Sequence, residues 1–181
     1  MARKTILTAG HLGFKTGAWR QWFDEGTHTI DFRNRVTRSL LKKGLLAVND
    51  SDHERTGNVI KWVNQGEETD LLIEFHFNAV DNITVSGTEC FVQRGATDFE
   101  KDVAAQLCEA TAKVLGIPNR GVKTPQLSHH QIIGVLDSTK CQSVLFEICF
   151  MSNPADVKKY LEHRATLVKV VSNIIFKAAQ L

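Results

Sequence analysis

Three short apolar runs in this chain each end on a side chain suited to metal or acid–base chemistry. They are Thr5-Ile6-Leu7-Thr8-Ala9-Gly10-His11, Leu71-Leu72-Ile73-Glu74-Phe75-His76-Phe77-Asn78 and Ser143-Val144-Leu145-Phe146-Glu147. In an open α/β sheet, ligands bind beyond the carboxyl ends of the strands, so residues at those ends converge although they are far apart in sequence. Two histidines and a carboxylate gathered at one sheet edge make the donor set of a catalytic zinc site. The pattern predicts an enzyme.

The bulk of the chain agrees with one folded domain over residues 1–181. At 181 residues and 43% hydrophobic content it can fill a core of its own. Cys90, Cys108, Cys141 and Cys149 are widely spaced and form no CxxC pair, which predicts free thiols and a reducing compartment of synthesis. Met1-Ala2-Arg3-Lys4 runs straight into a strand-like segment, so no signal peptide is expected, and no apolar run is long enough to span a membrane. A net charge of +2 gives no argument for nucleic acid. The charge is uneven, however: residues 1–44 carry nine Lys/Arg against three acids, which favours approach to an anionic polymer or simply decorates solvated helix faces.

Strand-like and helix-like segments alternate along the chain. This predicts an α/β domain with a mixed, mostly parallel central sheet flanked by helices on both faces. Residues 12–27, rich in Gly and aromatics (Phe14, Trp19, Trp22 and Phe23 among them), read as a loop. Helices are expected over Thr29 to Lys43, Glu54 to Asn64 and Asp98 to Leu115, the last stopped by Gly116 and Pro118. Asn119 to Gln142 reads as mostly loop. Two helices, Pro154 to Leu161 and Arg164 to Ala179, are expected to close the chain.

Within Asp70 to Phe77, period-two alternation places Leu71, Ile73, Phe75 and Phe77 on one face and Glu74, His76 and Asn78 on the other. Three polar groups on one face of a strand end imply a lined cavity. An apolar strand gains nothing from a buried imidazole unless a partner satisfies it. That partner is either a metal or a neighbouring side chain. Glu25 completes a two-His, one-carboxylate set with an open position for water, although Asp24 and His28 stand close by in the same loop. Glu147 lies in the run Val144-Leu145-Phe146-Glu147-Ile148-Cys149-Phe150, where an unpaired carboxylate is costly. Its options are a buried ion pair or a proton-transfer role beside a cation. Alternation puts Leu145, Glu147 and Cys149 on one face, so Cys149 is expected to border the site. Arg120 is a candidate substrate contact, with a surface salt bridge as its alternative. Trp19, Trp22 and Phe23 are candidates to pack on a sugar or in the core.

These residues together resemble the zinc-dependent N-acetylmuramoyl-L-alanine amidases of the type-3 class, and the resemblance spans nearly the whole chain. Ala9-Gly10-His11-Leu12-Gly13 is similar to the family's Pro-Gly-His-Gly-Gly, and Glu25 falls where the family places its glutamate ligand. Asp70-Leu71-Leu72-Ile73-Glu74-Phe75-His76-Phe77-Asn78-Ala79 is similar to the Ser-Ile-His-Ala-Asn-Ala stretch, and Asn119-Arg120-Gly121-Val122-Lys123 to Asn-Arg-Gly-Val-Lys. Val144 to Asp156 resembles the Val-Leu-Val-Glu-x-Gly-Phe-x-Ser-Asn-Pro-x-Asp signature that carries the catalytic glutamate. Departures are Leu12 and Cys149 for glycines and Glu74 for a serine.

The resemblance implies Zn2+ held by His11, Glu25 and His76, and Glu147 as the proton-transferring residue. Glu74 and Asn78 are expected around the ligands, with Glu74 either orienting His76 or repelling Glu147. The implied reaction is hydrolysis of the amide between the lactyl group of N-acetylmuramic acid and L-alanine in peptidoglycan. A catalytic domain without signal peptide or separate wall-binding domain is similar to phage endolysins, made in the cytoplasm and acting on the bacterial wall. Competing readings are a zinc peptidase acting on stem peptides, a non-catalytic peptidoglycan-binding module, and a cysteine hydrolase using Cys149 with His129 or His130.

Overall fold

The computed structural model describes residues 3–13, 15–127 and 133–181; Phe14, His129 and His130 lie outside the described residues. The chain runs β1 (Thr5–Ala9), β2 (Trp19–Arg20), β3 (Phe23–Asp24), α1 (Glu25–Leu41), β4 (Ala47–Asn49), α2 (Thr56–Val63), β5 (Leu71–Asn78) and β6 (Thr88–Val92). It continues through α3 (Asp98–Leu115), β7 (Asn119–Lys123), α4 (Gly134–Ser138), β8 (Gln142–Phe150) and α5 (Pro154–Ala178). Six strands form one sheet in the order β4-β1-β5-β8-β6-β7, and β2 and β3 form a small antiparallel hairpin. Strands β4, β1, β5 and β8 are parallel, whereas β6 pairs antiparallel to β8 and parallel to β7. The sheet is therefore mixed and mostly parallel, as the alternation of elements predicts.

Its two faces are covered unequally. Leu71, Ile73, Phe75 and Phe77 of β5 join Val144, Phe146 and Ile148 of β8 in the larger core, beneath α1, α3 and α5. Full burial of each such side chain contributes about 1.5–3 kcal/mol. On the opposite face, Ile6, Leu72, Phe91 and Leu145 pack under Val59 and Val63 of α2 and Val135 and Leu136 of α4. These two short helices cover only part of that face. The carboxyl ends of β1, β5 and β8 are left bordering a cleft of about 650 Å³.

Several boundaries differ from those expected, each for a local reason. The Gly- and Trp-rich stretch contains the β2–β3 hairpin, and α1 begins four residues before Thr29. Asp24 caps it by accepting from the Thr27 amide, 2.8 Å away. Asn119 to Lys123 is an edge strand, and a 3-10 turn (Pro125–Leu127) and α4 follow it. The last two helices are one. Asn153 caps Pro154–Ala178, and Leu161-Glu162-His163-Arg164 contains no Gly or Pro to end it. Arg164 donates to Asp31 of α1 at 2.8 Å, tying the middle of that helix to its neighbour.

The site depends on one irregularity. His76 faces Glu147 in the β5–β8 register, but Asn78 faces Phe150, so Ile148 and Cys149 together oppose Phe77. This bulge reverses the expected alternation. Cys149 turns into the larger core and is fully buried, and Phe150 takes its place on the cleft side. Cys149 therefore does not border the site.

Candidate metal centre and active site

His11 stands two residues beyond β1, His76 on the last turn of pleat in β5, and Glu25 at the first position of α1. The N-terminal end of a helix favours an anion, and the Asp24 cap fixes where that end lies. Glu25 reaches between the imidazoles. Its Oε2 lies 3.1 Å from His11 Nε2 and its Oε1 3.1 Å from His76 Nδ1. Two backbone amides hold the carboxylate from behind: Ala18 N donates to Oε2 at 2.8 Å and Phe77 N to Oε1 at 3.1 Å. The imidazoles meet edge to face, 5.0 Å apart. His11, Glu25 and His76 are the group whose donor atoms lie close enough together to share one ion, within 4.8 Å of one another, among the described residues.

Glu74 takes the other side of His76. Its Oε1 lies 3.0 Å from Nε2, and Thr8 Oγ1 donates to its Oε2 at 3.1 Å. His76 thus has a carboxylate oxygen against each ring nitrogen. Either both nitrogens carry protons or a cation stands between Nδ1 and Glu25. Burial opposes protonation of His76, but the hydrogen bonds to Glu25 and Glu74 overcome it and raise its pKa well above the ordinary value. Burial likewise pushes Glu25 up, and the hydrogen bonds from His11 and His76 reverse this and hold it well below the usual carboxylate range. Two imidazole nitrogens aimed at one ionised carboxylate fit a divalent ion of the borderline type that N/O donors bind. Gly10 makes the approach possible, because a Cβ there would fall on the His76 ring.

The neighbours considered as alternative ligands are used elsewhere. Asp24 caps α1 and accepts from Lys15 N at 2.6 Å. His28 stacks on Phe23 with 3.8 Å between ring centroids. Phe23 is itself buried, whereas Trp19 and Trp22 are about half exposed on the hairpin.

Glu147 occupies the next strand, in register with His76 on one side and with Glu89 of β6 on the other. Its Oε2 is sealed from solvent and has no hydrogen-bond partner among the described residues. Burial raises its pKa, the charge of His76 opposes the rise, and Glu25, Glu89 and Glu74 add to it, leaving a value of about 8. Glu74 therefore does both things considered for it: it bonds to His76 and it raises Glu147. Asn78 lines the same cleft, but its side chain is engaged elsewhere: its Nδ2 donates to Glu89 Oε1 at 2.8 Å. Arg120 lines the cleft and donates from Nε to Glu89 Oε2 at 2.6 Å. Glu89, buried in the middle of this arrangement, was not flagged by the sequence. Its signal was a lone acid in the strand Thr88-Glu89-Cys90-Phe91-Val92, the same anomaly that marks Glu147.

The fold has counterparts among known proteins. Residues 6–177 match the family profile described as N-acetylmuramoyl-L-alanine amidase. The chain belongs to that family. Among solved structures, it is similar to the N-acetylmuramoyl-L-alanine amidase from Clostridium difficile 630, at 19% identity over 98% of this chain and 97% of that one, with a TM-score of 0.81. The N-acetylmuramoyl-L-alanine amidase AmiC2 of Nostoc punctiforme aligns at 20% identity over 98% of both chains, with a TM-score of 0.81. The catalytic domain of CD27L endolysin, targeting Clostridia difficile, aligns at 22% identity over 97% of both chains, with a TM-score of 0.78. At these identities the structural likeness speaks for the fold. No protein of curated function matches the sequence. This amidase-family chain has no described helix long and apolar enough to cross a membrane.

Proposed function

We propose that this member of the amidase family hydrolyses the amide between the lactyl group of N-acetylmuramic acid and L-alanine in peptidoglycan, with Zn2+ held by His11, Glu25 and His76. The observation that carries this reading is the pair of imidazole nitrogens converging on the two oxygens of Glu25, one strand away from the unpartnered oxygen of Glu147. When bound, the ion supplies Lewis-acid polarisation of the scissile carbonyl and lowers the pKa of water.

The remaining steps belong to the chain. Glu147 accepts a proton on its carboxylate as water adds to the lactyl carbonyl. It returns that proton to the alanine nitrogen as the C–N bond breaks, so a carboxylic acid and a free amine leave. In the ion-free protein burial and the neighbouring carboxylates raise the Glu147 pKa to about 8 against the opposing charge of His76, and a cation held by His11, Glu25 and His76 would lower it. A proton affinity near neutrality suits a group that must both take and give a proton. Glu74 fixes the His76 ring through Nε2, leaving Nδ1 as the donor atom. Arg120 offers a cation to the substrate from the cleft wall.

Wall lysis in an endolysin-like role is part of the proposal, supported by the likeness to the CD27L catalytic domain. The test is metal analysis of the purified protein, together with digestion of isolated sacculi before chelation, after chelation and after zinc return. New L-alanine amino termini with intact glycan support the reading. Cleavage inside the stem peptide, or full activity after chelation, would overturn it.

A further inference from the structure

Beyond Glu147 the row of cleft side chains continues along the sheet to a pair of cations that the chemistry above does not require. Glu89, about 5% exposed, accepts at Oε2 from both Arg120 Nε and Lys123 Nζ, each at 2.6 Å, while Asn78 Nδ2 donates to its Oε1. Two positive charges thus share one carboxylate oxygen. Neither is bonded to Glu147, whose Oε2 has no hydrogen-bond partner among the described residues. Lys123 keeps about a fifth of its side-chain surface and Arg120 about a third, and both line the cleft that holds His11 and His76. The guanidinium is fixed from below by the Phe150 ring, 5.0 Å away, and its aliphatic stem lies where a Cβ on Gly87 (φ +128) would fall. This is a held, partly open cation pair with one positive charge in excess.

Its distance from the reacting centre is set by the sheet. Glu89 is the register partner of Glu147, and neighbouring strands are about 4.8 Å apart, so the cations gathered at Glu89 stand roughly 5–10 Å from Glu147. Two residues of extended peptide span about 7 Å. Counting from the scissile nitrogen of L-alanine, that length reaches the second stem residue, D-glutamate, which is joined onward through its γ-carboxyl and keeps a free α-carboxylate unless amidated.

Resting on the amidase reading, we propose that Arg120 and Lys123 form an anion subsite that takes this α-carboxylate, so the protein favours acidic over amidated stems. A carboxylate accepts from both cations, whereas a primary amide offers them no charge and one acceptor oxygen.

The experiment titrates muramoyl-L-alanyl-γ-D-glutamyl-L-lysine and its D-isoglutaminyl counterpart, which differ only in whether the α-carboxylate is free or amidated, into zinc-loaded Glu147→Gln protein by calorimetry. The acid is expected to bind about 10- to 100-fold more tightly, the range of a charge-assisted hydrogen-bonded contact. Arg120→Gln and Lys123→Met, made separately in that background, each narrow the ratio toward one. Equal affinity for the two ligands, or a ratio that survives both substitutions, overturns the subsite. Turnover of the same two compounds by the unsubstituted protein is read separately. If neither is cut, the amidase reading falls while the affinity ratio still decides the subsite.

Discussion

His76 and Glu147 are register partners on adjacent parallel strands, β5 and β8, and their side chains rise on the same face of the sheet. One touches Glu25 through Nδ1; the other keeps an oxygen without a hydrogen bond among the described residues. The sheet thereby sets the nitrogen proposed to hold the ion and the carboxylate proposed to move the proton one strand spacing apart, with no loop between them to blur the distance. Placement on strands gives a site more precision than loops can.

The first consequence concerns Glu147 itself. Glu147→Gln removes the proton carrier but leaves the donors of His11, Glu25 and His76 untouched. We expect kcat on sacculi to fall about 10²- to 10⁴-fold, the usual contribution of a positioned acid–base group, with zinc content unchanged. Release of L-alanine amino termini and elemental analysis on the same sample measure both. A variant with wild-type kcat would remove Glu147 from the reaction.

Removing a donor acts differently. Glu25→Ala takes away the carboxylate that meets both imidazoles and leaves Ala18 N and Phe77 N without their acceptor. His11→Ala and His76→Ala each delete one of the two nitrogens that converge on Glu25. All three variants are expected to purify with well under one equivalent of zinc and to lose activity that added zinc does not restore. Retention of a full equivalent by Glu25→Ala would point to a different ligand set.

Glu74 gives a graded test of how the site is supported. It accepts from Thr8 and holds His76 Nε2 at 3.0 Å. Glu74→Gln keeps the shape but weakens the hold, and we expect zinc affinity to drop about 10- to 100-fold in a chelator competition, as for other carboxylates behind a ligand histidine. Unchanged affinity would leave Glu74 with only its charge effect on Glu147.

Much of this was legible in the chain before folding, and the failures have physical causes. Period-two alternation in Leu71 to Asn78 gave the two faces of β5 correctly because that strand is regular up to His76. Asp98 to Leu115 was readable to the residue because Thr97 and Glu100 form a capping box and Gly116 ends the helix. Cys149 was misplaced because a bulge is a register event between two strands, and neither strand records it alone. The β2–β3 hairpin escaped because two-residue strands carry no periodicity. Glu25 could be placed near the site but not buried in it, since its burial depends on where Asp24 starts α1. Glu89 went unread for a related reason: its cation partners come from β7, a strand that the sequence presented as loop.

Gly10 tests the close packing around the donors. A Cβ at this position would overlap the His76 imidazole, which is itself held by Glu25 and Glu74 and has little room to withdraw. Gly10→Ala is expected to cost about 1–3 kcal/mol in stability, the range for overpacking, and to weaken zinc binding at the same time. Denaturant unfolding and chelator competition report the two effects. A variant unchanged in both would mean that β1 shifts freely at its end.

The last prediction follows from the raised proton affinity of Glu147, tested in chelated protein so that no ion contributes. Unfolded, this carboxyl titrates near 4.5; folded, it titrates at about 8 because burial and the charges of Glu25, Glu89 and Glu74 disfavour its ionised form. Between those values the native state holds a proton that the unfolded chain has lost, so stability falls as pH rises through that window. The loss begins near pH 4.5 and is complete above about pH 8. Glu147→Gln cannot ionise and escapes it. The ion-free variant should therefore match the ion-free wild type near pH 4.5 and exceed it progressively toward pH 8. Glu147 keeps some contact with the cleft, so the gain there is expected to be about 1–3 kcal/mol rather than the full value of the shift. Paired urea denaturations at pH 5, 6, 7 and 8 measure it. A difference that stays flat across the series, or that runs the other way, would show that Glu147 is ionised in the folded protein well below neutrality.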